Sequence, residues 1–156
     1  MTKTEEAAGS GDRFDLKRFT QAQERIYGAA LAEIRRGCKQ SHWMWFIFPQ
    51  IDGLGHSPTA KYYAIKSIEE ARVYLAHPIL GARLVECAEA VLSVEGRSAS
   101  AIFGYPDDMK LKSSMTLFAA MAEDPYSVFN RVLEKYYGGG EDSATLSILA
   151  DLKAGR

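Results

Sequence analysis

From Phe19 onward, apolar residues recur at three- and four-residue steps: Phe19, Ala22, Ile26, Ala30 and Ile34, with Gln21, Glu24, Arg25, Glu33 and Arg35 between them. That period lays one apolar stripe along a helix and predicts a continuous helix from Phe19 to a stop at Gly37. A different pattern follows. Trp43 to Phe48, "WMWFIF", is apolar at six consecutive positions, four of them aromatic. A strand would need partners, and no other segment reads convincingly as one. Ser41 can cap a helix and Pro49 can end it, so Ser41–Phe48 is expected to be a short helix, apolar all round and therefore central. "QIDGLGHSP" reads as a loop in which Gly53 and Gly55 supply turn conformations.

The rest of the chain is punctuated at helical intervals. Ser57-Pro58 is an N-cap followed by proline at the first helical position, opening a helix to about Ile65. Ser67 with Glu70 has the spacing of a capping box and opens one to about Ala76. Pro78 starts the next, with Leu80, Leu84, Cys87, Ala88 and Val91 as its inner stripe. Ser98–Phe103 is a short helical turn. Pro106 opens a helix through Met121 with Leu111, Met115 and Phe118 inward. Asp124-Pro125 starts another carrying Val128, Phe129, Val132, Leu133 and Tyr136. "GGGED" breaks it, and Asp142 or Ser143 caps a last helix to about Leu152. The fold class expected is all-α: seven to nine short helices, little or no sheet, one compact domain over residues 14–153. Residues 1–13 are small and polar and read as a disordered tail.

At 156 residues the chain suits one domain, long enough to bury a core without metal or disulfide staples. Lys and Arg number 19 and Asp and Glu 20, for a formal charge of −1. No strong field directs it to nucleic acid or anionic lipid. No apolar run approaches the roughly 20 residues a membrane helix needs, and the N-terminus lacks the apolar core of a secretory signal. Cys38 and Cys87 are not spaced as a metal or redox motif and read as free thiols in a reducing cytoplasm.

The candidate chemistry is sparse. His42, His56 and His77 have no metal-ligand spacing, and Gly53-Leu54-Gly55 follows no strand and lacks a third glycine, so no metal and no cofactor is expected. Lys110, Ser113 and Ser114 share a helical face and could cradle an anion, although the serines could equally back-bond to their own helix. Asp107 and Asp108 stand at a helix start, where dipole and capping roles come first; with His42 they are the candidates for acid–base work. The aromatic run is bracketed by His42 and Gln50, and Gln23 lies on the apolar side of the first helix. Amide, imidazole and indole groups beside Trp43 and Trp45 suit a pocket for a planar ligand; the same rings suit an ordinary core. Two functions follow: a nucleotide-like or ADP-ribose-like ligand site with, at most, N-glycosidase chemistry, or a non-catalytic helical interaction module.

"RFTQAQERIYGAALAEIRRGCKQSHWMWFIFPQIDGLGHSPTAKYYAI", "SIEEARVYLAHPILGARL", "IFGYPDDMKLKSSMTLF" and "DSATLSIL" resemble the bacterial domain-of-unknown-function family 1810, whose members often carry an automatic calpastatin label. The resemblance spans roughly residues 14–153 and implies an all-α fold and no established activity. A weaker likeness, to the helical NADAR family with its N-glycosidic chemistry, rests on a shared mix of aromatic, Gln and Lys positions on short helices, and no catalytic position is carried over from it.

Overall fold

The computed structural model describes residues 12–155. Among them lie ten helices: α1 (Lys17–Gln23), α2 (Tyr27–Arg35), α3 (Met44–Ile47), α4 (Pro58–Tyr63), α5 (Ile68–Ala76), α6 (Leu80–Ser93), α7 (Ala99–Phe103), α8 (Asp107–Ala122), α9 (Val128–Tyr137) and α10 (Ser143–Lys153). The fold is all-α. Among the described residues there is no sheet; one parallel bridge, Ile51 to Ile65, fastens the loop after α3 to the end of α4.

α8 is the centre. Leu111 and then every residue from Ser113 to Ala119 is buried, the mark of a helix enclosed by others rather than lying on a surface. It packs against α3, α5, α7, α9 and α10, while α6 packs against α2, α5 and α9. The expected inner stripe of α8 is in place, with Leu111, Met115 and Phe118 fully enclosed. Gly81 allows α6 to follow α5 closely: a Cβ there would lie 2.0 Å from the Leu75 carbonyl oxygen, so no side chain fits.

Most of the punctuation acts as read. Ser57, Ser67, Ser98 and Asp142 each accept the amide N–H three residues on, satisfying one orphan donor at each helix start. Four expectations need correction. The helix expected from Asp124-Pro125 starts at Val128, capped by Ser127, whose hydroxyl accepts the Asn130 N–H at 3.2 Å. The continuous helix from Phe19 is broken at residues 24–26, where Glu24 N–H and Ile26 N–H bond three residues back, to Gln21 and Gln23. This tightened turn re-aims the chain so that α1 packs on α3 and α2 on α6, and one expected helix becomes two. Ser41 does not cap α3, because its hydroxyl donates to Glu33 Oε2 at 2.7 Å; α3 begins only at Met44. At Pro78 the helix starts later, at Leu80, and its cap is the preceding His77, whose Nδ1 accepts from Ile79 N–H and Leu80 N–H, both at 3.1 Å.

The tail expected over residues 1–13 lies outside the described residues up to residue 11. Of the other two, Asp12 accepts the Leu16 N–H at 2.6 Å and Arg13 pairs with Glu69 at 2.8 Å.

Candidate functional site

The aromatic run serves two purposes. Trp43 and Phe48 are fully buried and pack edge-on against Phe103, with centroids 6.3 and 6.2 Å away. The Trp43 indole N–H donates to Glu33 Oε1 at 2.9 Å. Glu33, itself buried, also accepts Gln40 N–H at 2.8 Å, Ser41 N–H at 3.0 Å and the Ser41 hydroxyl. Burial alone would push this carboxyl up, but four donors outweigh it and hold the group at about 2. A charged carboxylate thus ties the loop after α2 to the start of α3.

Trp45 differs, because it is only half-buried. Lys110 Nζ lies 4.8 Å from its ring centroid, a cation–π distance, and 3.5 Å from Asp107 Oδ1. The other oxygen of Asp107 meets Lys39 Nζ at 2.9 Å, and Lys39 Nζ stands 5.0 Å from the Trp43 ring. Lys110, Asp107 and both tryptophans are therefore brought together, with Lys39 added. Trp45 and Gln50 also line a cleft with Tyr63 and Ala60, but its volume of about 10 Å3 holds one water.

The other predicted residues have separate surroundings. Gln23 is buried; its amide N–H groups donate to Phe46 O at 2.7 Å and Tyr74 Oη at 3.3 Å, and its oxygen accepts from Arg83 at 3.2 Å. The Ser113 hydroxyl back-bonds to Met109 O at 3.2 Å. Ser114 is fully enclosed and its Oγ has no hydrogen-bond partner. Lys110, Ser113 and Ser114 thus form no open cradle, although they share a helical face. The carboxylate of Asp108 accepts the next residue's N–H, and its carbonyl accepts the Tyr137 hydroxyl. His42 is exposed.

A ligand-sized space among the described residues lies elsewhere. A groove of about 480 Å3 opens between the start of α1 and the end of α4. Phe14 and the half-exposed Tyr62 supply aromatic surface, Lys61 and Lys66 cationic arms, and Arg18 and Glu70 the floor. All five N–H groups of Arg18 are placed. Nε donates to Tyr62 O at 2.8 Å; Nη1 to Phe14 O and Asp15 O at 2.7 and 2.9 Å; Nη2 to Ala64 O at 2.9 Å and to Glu70 Oε2 at 2.8 Å. Glu70 Oε1 accepts Lys66 N–H at 2.9 Å, one residue short of the Ser67 amide that a full capping box would serve. Lys66 Nζ donates to Lys61 O and Ala64 O. Two cations thus supply donors to carbonyls at the C-terminal end of α4, six residues long, where the helix leaves Tyr62 O and Ala64 O without a backbone partner of its own. The floor's polar groups are hydrogen-bonded to one another, and its carbonyls are no longer a negative edge.

Sequence reasoning missed this groove. Its signal was present in "RFDLKRF" (13–19) and "KYY" (61–63), two stretches that interleave cations with aromatic rings. Nothing in their spacing says that the two stretches meet. Among the described residues no cluster of His, Cys, Asp and Glu could hold a metal ion, and no helix is long and apolar enough to cross a membrane.

A search of curated proteins gives no match. Among solved structures, the crystal structure of the conserved hypothetical protein Rv1873 from Mycobacterium tuberculosis is similar, with 55% identity and a TM-score of 0.85 over 88% of this chain and 97% of that one. The family model described as "Protein of unknown function (DUF1810)" matches residues 13–149. An all-helical architecture around α8, the strings quoted above and that match over most of the chain lead to one conclusion: the protein belongs to the DUF1810 family.

Proposed function

We propose that the protein binds a small anionic, ring-bearing molecule of nucleotide-like build in the groove between α1 and α4. The observation that carries this reading is a space of about 480 Å3 bordered by Phe14, Tyr62, Lys61 and Lys66. Its size lies in the usual range for ligand sites, about 300–1,000 Å3. Aromatic faces accept a planar ring with little loss of conformational entropy, and lysines attract an anion. The cleft beside Trp45 is too small for such a ligand, so the binding role passes from the aromatic run to the groove. The reading is one of binding: Glu70, on the groove's floor, is held by Arg18 and the Lys66 amide.

Thermal denaturation of the full chain with nucleoside 3′,5′-cyclic monophosphates is the test. A ligand at 100 times its Kd adds about 2.7 kcal/mol to the folded state and raises the melting temperature. Tyr62→Ala removes a 55% exposed ring, so the free protein should melt nearly unchanged while the ligand-induced rise disappears. A helical module that meets only other proteins would show no rise with any nucleotide. A rise that survives Tyr62→Ala would place the ligand outside the groove.

A further inference from the structure

We infer that the groove's ligand carries one negative charge with a hydrogen-bond donor close to it, Lys61 receiving the first and Asp15 the second. The inference rests on the groove reading above and adds to it the charge and polarity of what is bound.

The basis is the pairing of charges around the groove. Arg18 is matched by Glu70 at 2.8 Å and Arg13 by Glu69 at 2.8 Å. Lys66 lies 4.0 Å from Asp52 and spends two of its three Nζ hydrogens on carbonyls. Among the described residues Lys61 is the lining cation with no carboxylate in ion-pair range, and Asp15 is the lining carboxylate with no cation in range. One unmatched positive arm and one unmatched negative arm therefore border the same aromatic-walled space.

Asp15 is also held in place. Its backbone has φ +55, a left-handed conformation that Asp and Asn enter more readily than most residues. The fold enforces it: Arg18 Nη1 and the Arg18 amide both donate to the Asp15 carbonyl, at 2.9 and 3.2 Å. Sparsely populated backbone conformations of this kind recur at ligand sites. A pyrophosphate would bring a second negative charge into a space that offers one free cation and one free carboxylate, and repulsion from Asp15 would offset the gain. A monoanion bearing an amine or hydroxyl satisfies both arms.

Calorimetric titration of the full chain with three probes tests this: adenosine, adenosine 3′,5′-cyclic monophosphate as the monoanion, and ADP-ribose as the pyrophosphate. The cyclic monophosphate should bind tightest, about tenfold or more above adenosine, since one charge-assisted hydrogen bond separates them. Lys61→Ala should bring it down to the adenosine level and leave adenosine itself unchanged. Asp15→Asn, which keeps a residue suited to the left-handed backbone, should weaken both several-fold. ADP-ribose binding tighter than the cyclic monophosphate would overturn the inference, as would binding of the cyclic monophosphate indifferent to both substitutions; in either case a ligand still binds and the groove reading stands. Binding by none of the three would bring down the groove reading along with the inference.

Discussion

Glu33 accepts the indole N–H of Trp43 at 2.9 Å across ten residues of sequence. The carboxylate also gathers the Gln40 and Ser41 amides, so one charge organises the turn leading to the aromatic helix. Replacing it with a neutral amide keeps the volume but sets an NH2 group against donors. Glu33→Gln should cost about 3 kcal/mol, in the range for losing hydrogen bonds to a buried charged group. Urea denaturation measures this.

The same carboxyl has a pH signature. Its folded value of about 2 lies below the ordinary 4.5, so its contribution is complete above about pH 4.5 and is lost as the pH falls through that window toward 2. The stability gap between wild type and Glu33→Gln should be constant from pH 7 to 5 and shrink between 4.5 and 2.5. A gap that widens on acidification would contradict the charged-acceptor role.

His77 acts in a different window. Burial disfavours its charged form and outweighs the opposing pull of Asp12, so its pKa is lowered from 6.5. As a cap through Nδ1 it must be unprotonated there. A base with a depressed folded pKa stabilises fully above its unfolded value and loses that contribution below it. The urea midpoint should therefore fall between pH 7.5 and 5.5. His77→Asn retains a capping acceptor and should flatten this dependence.

Ser114→Ala should stabilise the protein by about 0.5–1 kcal/mol. The hydroxyl is enclosed without a partner, its loss removes an unsatisfied polar atom, and alanine is the better helix former. Chemical denaturation decides, and a loss of stability would mean that the hydroxyl has a bonding role.

The two thiols should separate cleanly. Cys38 is exposed. Cys87 is buried in α6, and its thiol is pushed up to about 12, chiefly by that burial. Iodoacetamide on the native protein should alkylate Cys38 alone, because the thiolate is the nucleophile. Mass spectrometry should find Cys87 modified only after denaturation.

Much of the fold was legible in the sequence because helix signals are local. The N-caps at Ser57, Ser67 and Asp142 act over three residues, and the stripe of Leu111, Met115 and Phe118 needs only the helical period. The aromatic density of Trp43–Phe48 marked a buried segment, but the helix there is only Met44–Ile47 and Trp45 is half-buried. What failed depended on partners distant along the chain. The break at residues 24–26 is set by α1 and α2 facing different helices, and Ser41 is drawn from capping by Glu33, eight residues earlier. The site shows the same limit. Asp107 and Lys110 are neighbours by helical period alone, but nothing in the sequence brings them to Trp45, or Phe14 to Tyr62, 48 positions apart. The sequence by itself determined which segments are helical and which faces are apolar, since both follow from nearest-neighbour sterics and periodicity. Only the tertiary structure decided which polar groups are spent on one another and which, like Lys61 and Asp15, are left facing a groove, because hydrogen bonds and ion pairs are allotted by distances that only packing sets.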